Sequence, residues 1–368
     1  MEHRQGFLES MALDFYKGKS IFITGDTGFK GSWLCLWLLS LGARIIGYAL
    51  PAKKGEHFEA CALARKIEHV NGDIRDTRKL EKLMRSAKPD LAFHLAAQPL
   101  VLESYRNPVE TFDVNVMGTV HFLEAVRACK SIKAAVVITT DKVYENPEHG
   151  AAFKESDPLG GHDPYSGSKA AAEMITQSYV RSFFAKNSNA AVASARAGNV
   201  IGGGDFAQYR IVPDCIRALR SGNAIVIRNP HSVRPWQHVL EPLYGYLLLG
   251  ASLSEYGRDF SGAWNFGSSP GQSRTVEELV NELVAEWGKG TVKFLDPRKP
   301  RSKEAMFLQL NSTKATQSLG WKRVFTFREA IRNTVDEYKT MENARGEKLF
   351  KDRTERIRSF EKRIGKKK

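Results

Sequence analysis

From residue 19 onward the chain alternates short apolar runs with stretches whose apolar residues recur at helical spacing. Residues 20–24 predict a first strand, 32–40 a helix stopped by Gly42, and 43–50 a second strand. Residues 67–70 predict a third strand, 77–87 a helix ended by Pro89, and 91–96 a fourth strand. A helix over 116–129, a fifth strand over 134–139, a long helix over 170–184 and a sixth strand over 191–197 complete the series. Strands that alternate with helices of this length need crossover connections, which predicts an α/β fold built on a Rossmann-type, doubly wound parallel sheet. After Gly202 the rhythm breaks into short strands (224–228, 263–266), single helices (276–287, 328–338) and several prolines. The expected organisation is a dinucleotide-binding domain over 14–201 that takes back segments from the second half. A smaller mixed α/β substrate lobe over 202–340 and a basic tail over 341–368 follow it.

Composition narrows this picture. With 368 residues, 42% of them hydrophobic, the chain can bury a large core. No apolar run approaches the roughly 20 residues of a membrane span, the best being 33–41, and residues 1–14 carry Glu2, Glu9 and Asp14 in place of a signal-peptide stretch. Cys35, Cys61, Cys129 and Cys215 are scattered without pairing or metal-ligand spacing, as expected of reduced, buried thiols in a cytoplasmic protein. The net charge of +14 raises the question of nucleic acid, but its distribution argues against it. Residues 345–368 hold eleven Lys or Arg against four Asp or Glu, half of the excess, and read as a solvated helix with a frayed end. The remaining positive charge suits a small anionic substrate such as a nucleotide diphosphate.

Between the first strand and first helix stands Thr24-Gly25-Asp26-Thr27-Gly28-Phe29-Lys30-Gly31. Glycines at 25, 28 and 31 permit a tight turn and close backbone approach to a pyrophosphate, which the helix amino terminus then stabilises. The third strand ends in Gly72-Asp73-Ile74, where a carboxylate can accept from an adenine amino group. The fourth ends in His94-Leu95-Ala96-Ala97, small enough for a cofactor to lie on its backbone. The second strand ends Gly47-Tyr48-Ala49-Leu50 with no acid for the ribose hydroxyls, and Lys53 and Lys54 follow, so NAD and NADP stay undistinguished there.

The fifth strand runs into Thr140-Asp141-Lys142, delivering hydroxyl, carboxylate and amine to the sheet's carboxyl edge, where open α/β sheets bind ligands. Further on, Tyr165 and Lys169 stand four apart at a helix start and share a face. A free phenol is a poor base near neutrality, and a neighbouring ammonium favours its ionised form. Tyr165 can then take a proton from a substrate hydroxyl to which Thr140 also hydrogen-bonds.

These motifs resemble those of the extended short-chain dehydrogenase/reductases, and within them the nucleotide-sugar 4,6-dehydratases, over about residues 14–335. The third residue of the triplet is Lys142 where dTDP-glucose dehydratases carry Glu. Asp-Lys at this site is similar to the CDP-glucose 4,6-dehydratases, as are the runs 28–34 (GFKGSWL), 94–101 (HLAAQPLV), 196–205 (RAGNVIGGGD) and 234–243 (RPWQHVLEPL). The resemblance implies an NAD-retaining lyase of deoxysugar biosynthesis that oxidises carbon 4 of CDP-glucose, eliminates water across carbons 5 and 6, and returns the hydride to carbon 6. It assigns Thr140, Tyr165 and Lys169 to the oxidation, Lys142 to the carbon-5 proton and Asp141 to the departing hydroxyl. It implies cofactor contacts from Gly25, Thr27, Gly28, Phe29, Lys30, Gly31, Asp73, Ile74, Leu95, Ala96, Ala97, Asn115, Thr139, Tyr165 and Lys169. Substrate contacts are implied for Gln98, Asn199, Arg210, Arg234, His238 and Glu304, and a homodimer or homotetramer assembled through the helices at 116–129 and 170–184. Asp26, Phe206, Tyr209 and Lys303 depart from the family pattern. Two other readings are a dehydratase or epimerase of another nucleotide hexose, and a non-catalytic protein that senses NAD and makes contacts through its basic tail.

Overall fold

The apolar runs become the strands of one parallel sheet. The computed structural model describes residues 12–366 apart from 147–149, 151, 186–187, 228, 268–272 and 296–307. In chain order come β1 (Ser20–Thr24), α1 (Phe29–Ser40), β2 (Arg44–Ala49), β3 (Glu68–Asn71), α2 (Thr77–Ala87) and β4 (Leu91–His94). Helices α3 (Val101–Arg106) and α4 (Pro108–Phe112) lead through a wider π turn, Asp113–Met117, into α5 (Gly118–Ala128). Then follow β5 (Ala134–Ile138), α6 (Pro164–Ser182) and β6 (Ala191–Arg196). Helix α6 starts six residues before its expected position because Asp163 accepts the Ser166 N–H at 2.9 Å and Pro164 fits a first turn that needs no N–H. That start puts Tyr165 and Lys169 in the first turns.

Beyond β6, β7 (Val200–Ile201) pairs with β10 (Gln237–His238), β8 (Ile225–Ile227) with β13 (Val292–Phe294), and β9 (Val233–Arg234) with β12 (Arg274–Thr275). Helices α7 (Ile211–Arg220), α8 (Leu240–Tyr256), α9 (Val276–Trp287), α10 (Phe327–Asn343) and α11 (Glu347–Lys366) complete the chain, and β11 (Gly262–Asn265) lies between α8 and α9.

The sheet order is β3-β2-β1-β4-β5-β6-β11, all parallel. Strand order reverses between β1 and β4, the crevice where such sheets bind dinucleotides. Residues 263–266, one of the short strands expected after Gly202, form β11, a segment of the second half that pairs with β6 at the sheet's edge. Helix α8, which the apolar pattern did not reveal, lies under β5 and β6 with nearly every residue buried. A helix apolar all round has no 3.6-residue contrast to read.

The tail expectation is also corrected. Leu349, Arg353, Ile357 and Phe360 of α11, a helical stripe diluted by charges, are fully buried against α1 and α10. Arg363 pairs with Glu329 at 2.8 Å, and Glu361 accepts the Trp37 indole N–H at 2.7 Å. Among the described residues no helix is long and apolar enough to cross a membrane, and all four cysteines are unpaired and buried.

Candidate active site

At the crevice, β1 hands over to α1 through the glycine turn. Gly25 adopts φ +75°, and a Cβ there would sit 2.6 Å from the Ala96 nitrogen, so the turn lies directly on the loop after β4. A Cβ at Gly31 would drive into the Gly25 carbonyl. Thr27 ties the turn to the end of β2 by donating to the Leu50 carbonyl at 3.1 Å. Gly28 caps α1, and Phe29 and Lys30 form its first turn, whose N–H groups have no intrahelical partner and face the positive end of the helix dipole. Leu95, Ala96 and Ala97 form the opposite wall, with the Leu95 N–H donating to the Thr24 carbonyl at 3.0 Å. Asp73 pairs with Arg75 at 2.6 Å, whose hydrogen bonds hold its carboxyl below the usual range, and Ile74 packs against Gly118. This cradle, closed to any side chain at 25 and 31, fits a dinucleotide pyrophosphate.

Two side chains expected at the cofactor are used elsewhere. Asn115 accepts the Gln98 N–H at 2.9 Å and donates to the Gln98 carbonyl and Ser168 hydroxyl. Thr139 donates to the buried carboxylate of Glu173 at 2.5 Å. Both brace the cleft walls, as buried polar groups that are hydrogen-bonded within the protein.

The catalytic candidates converge. Thr140 caps a single 3-10 turn, Asp141–Val143, and donates to Asp141 Oδ1 at 3.0 Å. Asp141 Oδ2 accepts from Asn199 Nδ2 at 3.1 Å. Burial raises the Asp141 pKa, against the pull of Lys142, the Thr140 hydrogen bond, Arg234 and Lys30. A Cβ at Gly198 would overlap the Asp141 carboxyl group, so the glycine is what admits it. Asn199 is held at φ +50°, a strained conformation of the kind that clusters at active sites.

Tyr165 is buried and hydrogen-bonded to Thr140. Burial pushes its phenol up to about 12, while Thr140 and the Arg210 charge pull it down. The cation acting on the phenol is therefore Arg210, rather than the expected Lys169. Lys169 donates to the Ile138 carbonyl at 3.3 Å, and burial lowers its pKa to about 8.

Of the substrate candidates, Asn199, Arg210 and Arg234 reach the site. Arg210 pairs with Asp205 at 2.9 Å and acts on both Tyr165 and Lys30. Gln98 does not: its amide is spent on Leu100 in its own loop and on Thr111 of α4. Nor does His238, which is fully buried with Nε2 bonded to Glu337 at 3.2 Å. Glu304 and Lys303 lie outside the described residues.

The structure adds residues that the sequence reading missed or placed differently. Lys30, expected at the cofactor, extends into the catalytic site, its ammonium 6.0 Å from the Tyr246 ring centre and coupled to Asp141, Lys169, Arg210 and Asp205. Burial brings its pKa to about 8. Tyr246 of α8 is buried with no hydrogen-bond partner for its hydroxyl among the described residues. Asp26, where the family pattern differs, is buried and pairs with His69 Nδ1 at 2.7 Å, so a histidine on β3 answers the altered turn residue. Lys30, Lys142, Lys169, Arg210 and Arg234 thus surround Asp141 and Asp205, a cationic setting for a doubly charged diphosphate.

Comparison with known proteins shows the family. The family model described as GDP-mannose 4,6 dehydratase matches residues 22–334. The chain belongs to that family, within the extended short-chain dehydrogenase/reductases. It is 45% identical over 342 residues to the CDP-glucose 4,6-dehydratase of Salmonella typhimurium, covering 92% of this chain and 94% of that one. A dTDP-glucose 4,6-dehydratase of Streptomyces venezuelae, solved with NAD, superposes with a TM-score of 0.75 at 23% identity, over 87% of this chain and 97% of that one. A UDP-glucose 4-epimerase of Thermus thermophilus, also solved with NAD, gives 0.74 at 26% identity, over 87% and 99%. Proteins similar to this chain thus include both dehydratases and epimerases.

Proposed function

We propose that the protein dehydrates CDP-D-glucose to CDP-4-keto-6-deoxy-D-glucose with tightly held NAD. The observation that carries this reading is the Asp141–Lys142 pair, packed beside Thr140 and Tyr165 in a site rich in cations. Epimerisation needs only the Thr and Tyr, whereas elimination needs further groups at carbons 5 and 6. The 45% identity to a CDP-glucose 4,6-dehydratase supports the choice of nucleotide.

NAD, held by the glycine turn and the walls at 73–74 and 95–97, accepts and returns one hydride when bound. The chain's own residues do the proton work. Tyr165, in its ionised form, which the Arg210 charge favours, accepts the 4-hydroxyl proton, with Thr140 aligning the hydroxyl. The resulting 4-keto group acidifies carbon 5, and Lys142, as its neutral amine in the closed site, removes that proton. Asp141, whose raised pKa favours the acid form, protonates the leaving 6-hydroxyl, which departs as water. Arg210 and Arg234 clamp the diphosphate through charge-assisted hydrogen bonds, and Asn199 aligns Asp141 and the sugar.

We further propose a two-part organisation, with the parallel sheet carrying NAD and residues 202–340 covering the sugar nucleotide. The same reading makes the protein a cytoplasmic homodimer. Tyr105, Val109, Phe112, Met117, Met174 and Phe183, exposed apolar residues on and beside α3 to α6, support pairing with a second copy. Incubation with CDP-glucose, dTDP-glucose, GDP-mannose and UDP-glucose tests the function. A product that absorbs in alkali only with CDP-glucose supports it. Epimer formation, or turnover of another nucleotide in preference, would overturn it.

A further inference from the structure

Helix α11 carries a completely buried arginine. Arg353 Nε donates to His57 Nε2 at 3.2 Å, Nη1 pairs with Asp352 at 2.5 Å, and Nη2 donates to the Glu337 carbonyl at 2.8 Å. Its guanidinium lies 5.4 Å from the Trp33 ring centre. A guanidinium only donates, so His57 accepts on Nε2 and carries its proton on Nδ1. That proton goes to Ser32 Oγ at 2.8 Å, and Ser32 donates in turn to the Phe29 carbonyl at 2.9 Å. Burial and the Arg353 charge both hold His57 well below its ordinary pKa, as this neutral tautomer requires. One arm of the network therefore ends on the first turn of α1, beside the dinucleotide cradle.

The second arm reaches the loop over the sugar nucleotide. Glu337 accepts the Gly203 N–H at 2.7 Å, and the Trp33 indole donates to the Gly203 carbonyl at 2.9 Å. A Cβ at Gly203 would strike Glu337, and one at Gly204, held at φ +94°, would meet the His57 ring at 2.5 Å. Tyr338 donates to the Asp205 carbonyl at 2.5 Å, and the Asp205 carboxylate holds Arg210. His57, Trp33 and Glu337, the three residues that fix Gly203 and Gly204, all touch Arg353.

We propose that Arg353 is a positioning residue for the sugar-nucleotide end of the site, acting through Gly203–Asp205 to aim Arg210. This rests on the reading of Arg210 as a diphosphate clamp. A well-packed apolar residue would fill the same volume at less desolvation cost. What the arginine adds is direction: its planar fork fixes an imidazole, a carbonyl and a carboxylate at set angles.

The test is a double-mutant cycle on the full-length protein, with Arg353→Met, Arg353→Lys, Arg210→Met and the Arg353→Met/Arg210→Met pair. It reads kcat and KM for CDP-glucose, the dissociation constant of CDP by calorimetry, bound NAD and the melting temperature. Arg353→Met is expected to raise KM and the CDP constant about ten-fold, with kcat within about three-fold and NAD content unchanged. Arg353→Lys should recover part of this, and the pair should bind CDP no more weakly than Arg210→Met alone. Two results would overturn the proposal: a lowered melting temperature with unchanged binding, or fold-changes that multiply in the pair. If Arg353→Met does not yield soluble protein, Arg353→Lys, which keeps the charge and loses the planar fork, takes its place in the cycle under the same criteria. Failure of the wild type to form a 4-keto product would count against the proposed function, whereas the CDP constants judge the relay independently.

Discussion

Gly198→Ala should separate the two halves of the reaction. Cβ contacts begin in the ordinary range at 3.4 Å, and a Cβ at 198 would lie inside 3.0 Å of all three nearest atoms, each of them in the Asp141 carboxyl group. The carboxyl group must therefore retreat by more than about 1 Å, stretching its 3.1 Å bond from Asn199 out of hydrogen-bond range. A misplacement of about 1 Å in a catalytic group costs on the order of a hundred-fold in rate, or about 2.7 kcal/mol of barrier. Tyr165 and Lys169 stand on α6, and only the Thr140 hydrogen bond to Asp141 links the change to the oxidation. The variant should still oxidise carbon 4, seen as reduced nicotinamide absorbance on mixing with CDP-glucose. The alkali-absorbing product should form about a hundred-fold more slowly. Wild-type product formation, or equal loss of both steps, would refute the assignment of Asp141 to elimination.

Further outcomes follow from the same geometry. Tyr165→Phe should abolish both half-reactions, while Asp141→Asn and Lys142→Ala should spare oxidation and slow water loss; elimination intact in both of the latter would remove them from the mechanism. Lys30 and Lys169 lose their protons near pH 8, so KM for CDP-glucose should climb above that pH. Lys30→Met should raise KM at neutral pH and flatten the climb, as steady-state kinetics across pH 6 to about 10 would register. Glu337 is brought down to about 2, burial being outweighed by His238, Arg353 and Arg356. It therefore adds stability above its unfolded pKa of about 4.5, and this is lost as pH falls towards 2. That shift corresponds to about 3 kcal/mol, so Glu337→Gln should unfold more easily in denaturant at pH 7 with the difference vanishing near pH 2. Val109→Glu with Met174→Glu should halve the mass measured by light scattering, and an unchanged mass would reject that face as the interface.

Much of the fold was legible because its strands are short apolar runs ended by glycine or polar residues. The glycine turn, Thr140 to Lys142 and Tyr165 to Lys169 all fell at strand ends or helix starts, where sequence position alone puts them on one edge. What stayed hidden has physical causes. Helix α8 lacks a polar face, and the inner stripe of α11 is masked by its charges. Tyr246 enters the site from beneath the sheet, a contact no local pattern encodes. Gln98, Asn115, Thr139 and His238 sit in the right segments, but burial turns their polar atoms towards protein partners. Pairings such as Asp26 with His69 join residues 43 apart in the chain and show only once β1, β2 and β3 are assembled in one sheet.

The edge strand β11 has a consequence for how this protein is made. The sheet that carries the dinucleotide cradle gains its last strand only at Gly262–Asn265, after α8 has already been threaded beneath β5 and β6. During synthesis the first two hundred residues therefore wait with an open strand edge and an uncovered apolar face, a state prone to aggregation. Closure waits longer still on α11, whose stripe docks against α1 more than three hundred residues upstream. A fragment ending near residue 201 should consequently be insoluble rather than a free-standing cofactor module. Helices α1 and α11 must therefore be present together before either is stably packed.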